Sequence, residues 1–286
     1  GGLVRKKNVV NTMMTSIFII GIGIVMWVLF GYSLSFAPSG NAFIGDFRWL
    51  GLEGVSLTEG YTDGASIPNM VFSAFQMMFA VITPALITGA VAGRMKFKSI
   101  FVFTIFWSLI VYYPLAHMVW GQGGLLGADG IGALDFAGGD VVHISSGVSA
   151  LVLCILLGKR HDYEHSIYRI HNIPKVVLGA SLLMFGWFGF NAGSALAADG
   201  LAAHAFMTTG VSAAAAMLSW MLCDVIKNKK PTLIGASTGM VAGLVGITPG
   251  AGFVPMWAAV IIGLTTSPVC YIMISYGKKK FGFDDA

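Results

Sequence analysis

Long apolar runs alternate with short polar segments along the whole sequence. Most runs reach the roughly 20 residues that an α-helix needs to cross the hydrocarbon core of a bilayer. The pattern therefore predicts an all-α integral membrane protein with eight spans, the seventh being the shortest. The predicted spans are residues 9–36, 67–92, 99–120, 139–157, 174–197, 202–226, 232–248 and 254–276.

The basic residues form short clusters that fall between the spans. If all eight spans cross the membrane, 16 of the 17 Lys and Arg residues lie on one side and only Arg48 lies on the other. Loops rich in Lys and Arg stay in the cytoplasm. We therefore expect a multi-pass protein of the plasma or inner membrane, with both ends of this chain cytoplasmic. The basic residues on the cytoplasmic side are Arg5, Lys6, Lys7, Arg94, Lys96, Lys98, Lys159, Arg160, Arg169, Lys175, Lys227, Lys229, Lys230, Lys278, Lys279 and Lys280.

Composition supports the same class. Hydrophobic residues make up 56% of the chain and charged residues only 10%, whereas soluble domains carry about 25% charged residues. The net charge of +4 comes from the clusters between spans, so we expect no nucleic-acid partner. The sequence has no nucleophile–base arrangement, phosphate-binding loop or zinc-ligand spacing. We expect neither an enzyme nor a cofactor.

Histidines at membrane depth are candidates for function, because polar groups there are costly. His143 begins the fourth span, 16 residues before Lys159, which places it roughly 24 Å above the inner charges. Its imidazole can line a pore, or a neighbouring helix can satisfy it. His117 and His204 also lie near the outer ends of spans, and three histidines at similar depth can ligate haem. A membrane redox subunit is therefore a competing interpretation of these three residues.

Other residues at the span ends also have two readings. Asp135, flanked by apolar residues and glycines, can attract a cation or can accept hydrogen bonds from backbone N–H groups and hold a turn. Aromatic residues near the span ends either anchor the protein in the bilayer or, beside a pore mouth, bind a small cation. Gly235, Gly239 and Gly243 recur every four residues and predict a smooth helix face for close packing.

Several long motifs resemble one family in their order along the chain. They are Gly1-Gly2-Leu3-Val4-Arg5-Lys6-Lys7-Asn8, Ala116-His117-Met118-Val119-Trp120-Gly121, Gly132-Ala133-Leu134-Asp135-Phe136-Ala137-Gly138-Gly139-Asp140-Val141-Val142-His143, Gly186-Trp187-Phe188-Gly189-Phe190-Asn191-Ala192-Gly193-Ser194 and Ala242-Gly243-Leu244-Val245-Gly246-Ile247-Thr248-Pro249. Together they resemble the Amt/Mep/Rh ammonium transporters, on the Amt side. The likeness makes residues 1–286 a single, partial transporter domain.

The resemblance implies a homotrimer with one pore per subunit, each subunit a bundle of eleven helices with an inverted repeat of five plus five. It assigns Trp120, Phe79 and Ser194 to an outer ammonium-binding site, with Asp135 supporting that site. It further assigns Phe79 and Phe190 to a phenyl gate, Trp187 to the pore wall, and His143 to the first of two pore histidines. The partners it implies are ammonium or ammonia, the lipid bilayer and a PII-type signalling protein at the cytoplasmic face.

In this interpretation the eight spans match the family's second to ninth helices. The first helix, the last two helices, the second pore histidine and the cytoplasmic tail would then lie outside the chain. We expect that residues 1–286 alone do not conduct ammonia selectively. The expected function is an ammonium/ammonia channel or transporter that recruits ammonium outside and passes neutral ammonia. The alternative is a membrane ammonium sensor that uses the same site without transport.

Overall fold

A computed structural model describes residues 1–38, 40–128, 130–160, 163 and 170–284. Arg169 of the basic clusters lies outside this part of the chain, as does the side chain of Lys279. In the described part, eight helices are long and apolar enough to cross a membrane. They are α1 (Lys6–Phe36), α2 (Asn69–Val91), α3 (Phe97–Trp120), α4 (Gly139–Leu157), α5 (Ile173–Ala195), α6 (Gly200–Asn228), α7 (Leu233–Gly250) and α8 (Met256–Gly277).

The predicted spans are confirmed, each end within three residues of its predicted position. The seventh span, α7, has 18 residues and is the shortest of the eight. The protein is all-helical in its described part, apart from turns and one isolated β-bridge between Gly60 and Pro68. Helices suit a bilayer because they satisfy their own backbone N–H and C=O groups.

The distribution of exposed side chains also fits a bilayer. Large apolar side chains such as Val10, Leu156 and Phe185 are exposed, while Thr208 and Ser212 are buried. A protein surrounded by water shows the opposite tendency. The chain is a multi-pass membrane protein whose outer helix faces contact apolar surroundings.

The chain divides into two compact units. One is Asn11–Leu153, and the other combines Gly1–Val10 with Cys154 onward. The boundary at residues 153/154 lies within the last turn of α4, so the first unit contains most of α1, all of α2 and α3, and most of α4. The second unit contains α5 to α8.

In the first unit, aromatic residues hold the long segment between α1 and α2, residues 37–66, against these two helices. We call it the outer segment, after the side on which the positive charges predict it to lie. The rings of Tyr32 and Trp49 stack at a centroid distance of 5.3 Å, and those of Tyr61 and Phe72 at 4.6 Å. Trp27 Nε1 donates to the Ser73 carbonyl oxygen at 3.1 Å, which joins α1 to α2. The helices α1 and α2 therefore present a fixed aromatic base for the outer segment.

In the second unit, α6 packs against α5, α7 and α8. Ser212 Oγ donates to the Gly243 carbonyl oxygen at 2.9 Å, and Ser267 Oγ donates to the Ala216 carbonyl oxygen at 2.6 Å. These distances require backbones in close approach. A Cβ added at Gly239 would lie 2.5 Å from the Cβ of Trp220, so the predicted packing role of the glycine stripe is confirmed.

We predict that Gly239→Ala destabilises the second unit, because the new methyl group overlaps Trp220 and must push α6 and α7 apart. Overpacking of this kind costs about 1–3 kcal/mol. The measurement is the thermal unfolding midpoint in detergent. Gly21→Ala in α1 is the matched control, since a Cβ there meets nothing within 4 Å. An unchanged midpoint for Gly239→Ala would contradict the close packing.

Candidate functional site

Two of the predicted site aromatics meet in the first unit. Phe79 on α2 is buried, and its ring lies 5.7 Å from that of Trp120, the last residue of α3, at an interplanar angle of 82°. Phe75 packs against the other side of Phe79 at 4.9 Å. Edge-to-face contacts of this kind are favourable between aromatic rings. The three rings form one cluster, in which Phe79 is buried and Phe75 and Trp120 are half-buried.

Asp135 holds the backbone turn that leads into α4. Its Oδ1 accepts hydrogen bonds from the N–H groups of Gly138 and Gly139, both at 2.6 Å, and its Oδ2 accepts from Asp140 and Val141 at 2.8 and 3.1 Å. The first N–H groups of a helix have no partner within the helix, so the carboxylate caps α4. Two roles were predicted for Asp135, and the structure supports the second, in which the carboxylate accepts hydrogen bonds from backbone N–H groups and holds the turn.

The same turn positions Trp120. Its indole Nε1 donates to the carbonyl oxygen of Asp135 at 3.0 Å. Gly138 has φ of 111°, a backbone conformation that residues with a side chain rarely adopt. A Cβ at this position would also lie 2.6 Å from Val142 Cγ2. One short segment therefore caps a helix and fixes the orientation of the outer tryptophan.

His143 lies in the first turns of α4. It is half-buried and belongs to the π-helical segment Gly139–Ile144. Insertions of this type interrupt the regular helix and occur frequently at functional sites. The structure therefore places His143 in an irregular segment, eight residues after Asp135.

The remaining predicted residues lie on one stripe of α5, in the second unit. Trp187, Phe190 and Ser194 follow one another at spacings of three and four residues, which places them on one helix face. The rings of Trp187 and Phe190 are 5.3 Å apart. Ser194 Oγ donates to the Phe190 carbonyl oxygen at 2.9 Å. Its hydrogen is then in use, so the hydroxyl oxygen presents lone pairs that accept hydrogen bonds.

Three residues that support this stripe, Asn191, Thr209 and Thr248, were not predicted from the sequence. Trp187 Nε1 donates to Thr248 Oγ1 on α7 at 3.0 Å, and the Asn191 amide donates to Thr209 Oγ1 on α6 at 2.9 Å. Only a polar residue inside an apolar run signals such a partner. Nothing in the sequence indicates which helix supplies the other group.

The competing interpretation of haem ligation lacks support. His117 is fully buried, and its Nδ1 and Nε2 lie 3.1 and 2.8 Å from the carbonyl oxygens of Ser35 and Asn41. His204 Nε2 lies 2.8 Å from the Val254 carbonyl oxygen. These nitrogens bind backbone groups in place of a metal. The described residues contain no group of three potential metal ligands.

The outer segment of the first unit carries acidic residues and one basic residue. Arg48 pairs with Asp46 at 2.7 Å. This hydrogen-bonded contact lowers the pKa of Asp46 and raises that of Arg48. Burial raises the pKa of Tyr61 to about 12. Tyr61 accepts two hydrogen bonds from Gln122. The Gln122 backbone N–H donates to Tyr61 Oη at 3.2 Å, and the Gln122 side-chain amide donates to the Tyr61 carbonyl oxygen at 3.1 Å. These bonds attach the outer segment to the chain two residues beyond Trp120.

Eight apolar helices of membrane length, with polar and aromatic residues buried among them, define a multi-pass membrane protein. The family model described as "Ammonium Transporter Family" matches residues 1–286 of this chain. An ammonium transporter of Bacillus subtilis is 53% identical over all of this chain, which spans 69% of that protein. The crystal structure of Saccharomyces cerevisiae Mep2 matches with a TM-score of 0.90 and 39% identity, over 100% of this chain and 65% of that one. A structure described as a sensor Amt protein matches with a TM-score of 0.86 and 29% identity, covering 99% of this chain and 71% of that chain.

The chain belongs to the ammonium transporter family, and the predicted resemblance is confirmed. It spans about two-thirds of the length of these relatives.

We predict that Asp135→Ala lowers stability more than Asp135→Asn. Alanine leaves four backbone N–H groups without the carboxylate, whereas asparagine keeps one of the two oxygens. Losing a helix cap costs about 0.5–2 kcal/mol, so each variant should unfold at a lower temperature, in that order. Asp63→Ala in the exposed outer segment is the control. Equal midpoints for wild type and Asp135→Ala would exclude the capping role.

Proposed function

We propose that the complete protein containing this chain moves ammonium or ammonia across the membrane, with an outer aromatic site that recruits ammonium. The observation that carries the proposal is the Phe79–Trp120 pair, oriented by the Asp135 turn. The resemblance of the motifs assigns Ser194 to the same site. Family membership and the names of the relatives support transport as the activity.

Recognition at this site would combine two interactions. The π faces of Trp120 and Phe79 attract any small cation, at about 0.5–2 kcal/mol per contact. Ammonium and potassium are alike in charge and similar in size, but only ammonium donates hydrogen bonds. The Ser194 oxygen accepts such bonds because its own hydrogen is donated to Phe190. Aromatic rings would concentrate cations, and the hydroxyl would prefer ammonium.

Below this site the permeating species would be neutral ammonia. Moving a bare cation into an apolar medium is far more costly than moving a neutral polar molecule. The resemblance of the motifs assigns Phe79 and Phe190 to a gate at this step and Trp187 to the pore wall. His143 would then offer one hydrogen-bond donor and one acceptor to ammonia.

We further propose a homotrimer in the plasma or inner membrane, with both ends of this chain in the cytoplasm and a docking surface there for a PII-type protein. The charge distribution supports the orientation, since Arg48 is the one basic residue assigned to the outside. The resemblance of the motifs supports the trimer and the partner.

The sensor alternative is not favoured. The matching protein described as a sensor is 29% identical, while the relative described as an ammonium transporter is 53% identical.

We predict that Trp120→Leu in the complete protein weakens saturable methylammonium uptake, with the half-saturation concentration rising about five- to tenfold. Loss of one cation–π contact of about 1 kcal/mol accounts for that change. Uptake is measured in cells that lack their own ammonium transporters. Trp257→Leu, at an exposed position on α8, is the matched control. Wild-type saturation with Trp120→Leu would remove Trp120 from the site.

We predict that a cysteine at position 57 reacts with an impermeant thiol reagent added outside intact cells, and that a cysteine at position 228 reacts only after permeabilisation. Leu57 and Asn228 are both exposed, in the outer segment and at the end of α6. The background protein has Cys154, Cys223 and Cys270 replaced by serine or alanine. Strong labelling of position 228 in intact cells would reverse the proposed orientation.

A further inference from the structure

The amide of Asn191 has an acceptor that the described protein does not use. Asn191 is completely buried, and no described residue donates a hydrogen bond to its Oδ1. A buried polar atom without a partner costs about as much as a lost hydrogen bond, so such atoms are uncommon in native proteins. The group therefore calls for a donor that is not part of the described chain.

The orientation of the amide follows from its neighbour on α6. Thr209 Oγ1 donates its hydrogen to the Ala205 carbonyl oxygen at 2.6 Å. It can then only accept from Asn191, whose Nδ2 lies 2.9 Å away. With the side chain rotated by 180°, Oδ1 would face an oxygen whose hydrogen is already donated. The Thr209 hydroxyl thus fixes which end of the amide is left with a vacant acceptor.

Asn191 also lies on the face of α5 that carries the proposed transport residues. Among Ile173–Ala192, the buried residues are Ala180, Trp187 and Asn191, at spacings of seven and four. Asn191 comes four residues after Trp187 and three before Ser194, spacings that place the three side chains on one face. Elsewhere the helix exposes large apolar side chains, such as Leu182 and Phe185. The vacant acceptor is therefore on the one stripe of α5 that the protein buries.

We propose that Asn191 Oδ1 accepts a hydrogen bond from the permeating ammonia or ammonium, as a binding residue for translocation. This inference rests on the proposed function and extends it to a residue next to the gate. A single neutral carbonyl oxygen replaces little of the hydration of a cation, but it pairs well with one N–H of neutral ammonia. Its contribution therefore falls on passage more than on recruitment.

The test uses the complete protein and radiolabelled methylammonium as the probe. Asn191→Leu keeps a similar side-chain volume and removes the acceptor. The expected result is a maximal uptake rate about tenfold lower, with the half-saturation concentration within about twofold of wild type, as for loss of one buried hydrogen bond. A wild-type rate for Asn191→Leu would overturn the proposal.

The double variant Asn191→Leu/Thr209→Val separates transport from packing. It replaces both polar partners by apolar groups of similar shape, a change that is nearly neutral for stability. We expect the double variant to regain the wild-type unfolding midpoint and membrane abundance while its uptake rate stays low. Recovery of the uptake rate in the double variant would show that Asn191 serves only to pair with Thr209, and would overturn the proposal. Absence of saturable, ammonium-competed uptake by the wild type would instead overturn the proposed function and this inference with it.

Discussion

The cost of an unpaired polar group in hydrocarbon governs the arrangement of polar side chains in these helices. Hydroxyl groups on the spans repeatedly donate to the carbonyl oxygen four residues earlier in the same helix, as in Thr83 to Phe79, Ser194 to Phe190 and Thr248 to Leu244. Such local bonds are an intrinsic ability of Ser and Thr. Each such bond satisfies the hydroxyl hydrogen without a partner on another helix. The hydroxyl oxygen can still accept a hydrogen bond.

The residues of the proposed site depend on this ability. Trp187 and Asn191 each donate to a threonine, Thr248 or Thr209, whose own hydrogen is already donated within its helix. Trp120 uses a backbone carbonyl oxygen, which belongs to the residue whose carboxylate caps α4. Each aromatic or amide group is thus oriented by an acceptor that a neighbouring segment presents. The proposed recognition of ammonium follows the same chemistry, with the substrate as donor.

The sequence predicted the features that depend on local composition. The eight spans follow from apolar runs of sufficient length, and the glycine stripe on α7 follows from its four-residue spacing. Asp135 was identified with two possible roles, because an acid before a helix is compatible with both. The partners of Trp187 and Asn191 were not predicted, since they lie on helices 18 to 61 residues away along the chain. Which helices meet depends on the complementarity of whole surfaces, and that information is spread over many weak contacts.

Four spans contain π-helical segments, at Trp27–Gly31, Ser108–Tyr112, Gly139–Ile144 and Met273–Gly277. A π-turn holds one residue more than an α-turn, so the helix beyond it is rotated by about 100° relative to a continuous α-helix. Where such a segment lies between two α-helical stretches, as in α1 and α3, the residues on its two sides therefore follow separate helical wheels. Loss of one residue there would turn the segment into a regular α-turn and leave both flanking faces in place. In α1 and α3 these segments are therefore the positions at which a single-residue deletion would disturb the packing of the flanking helical faces least.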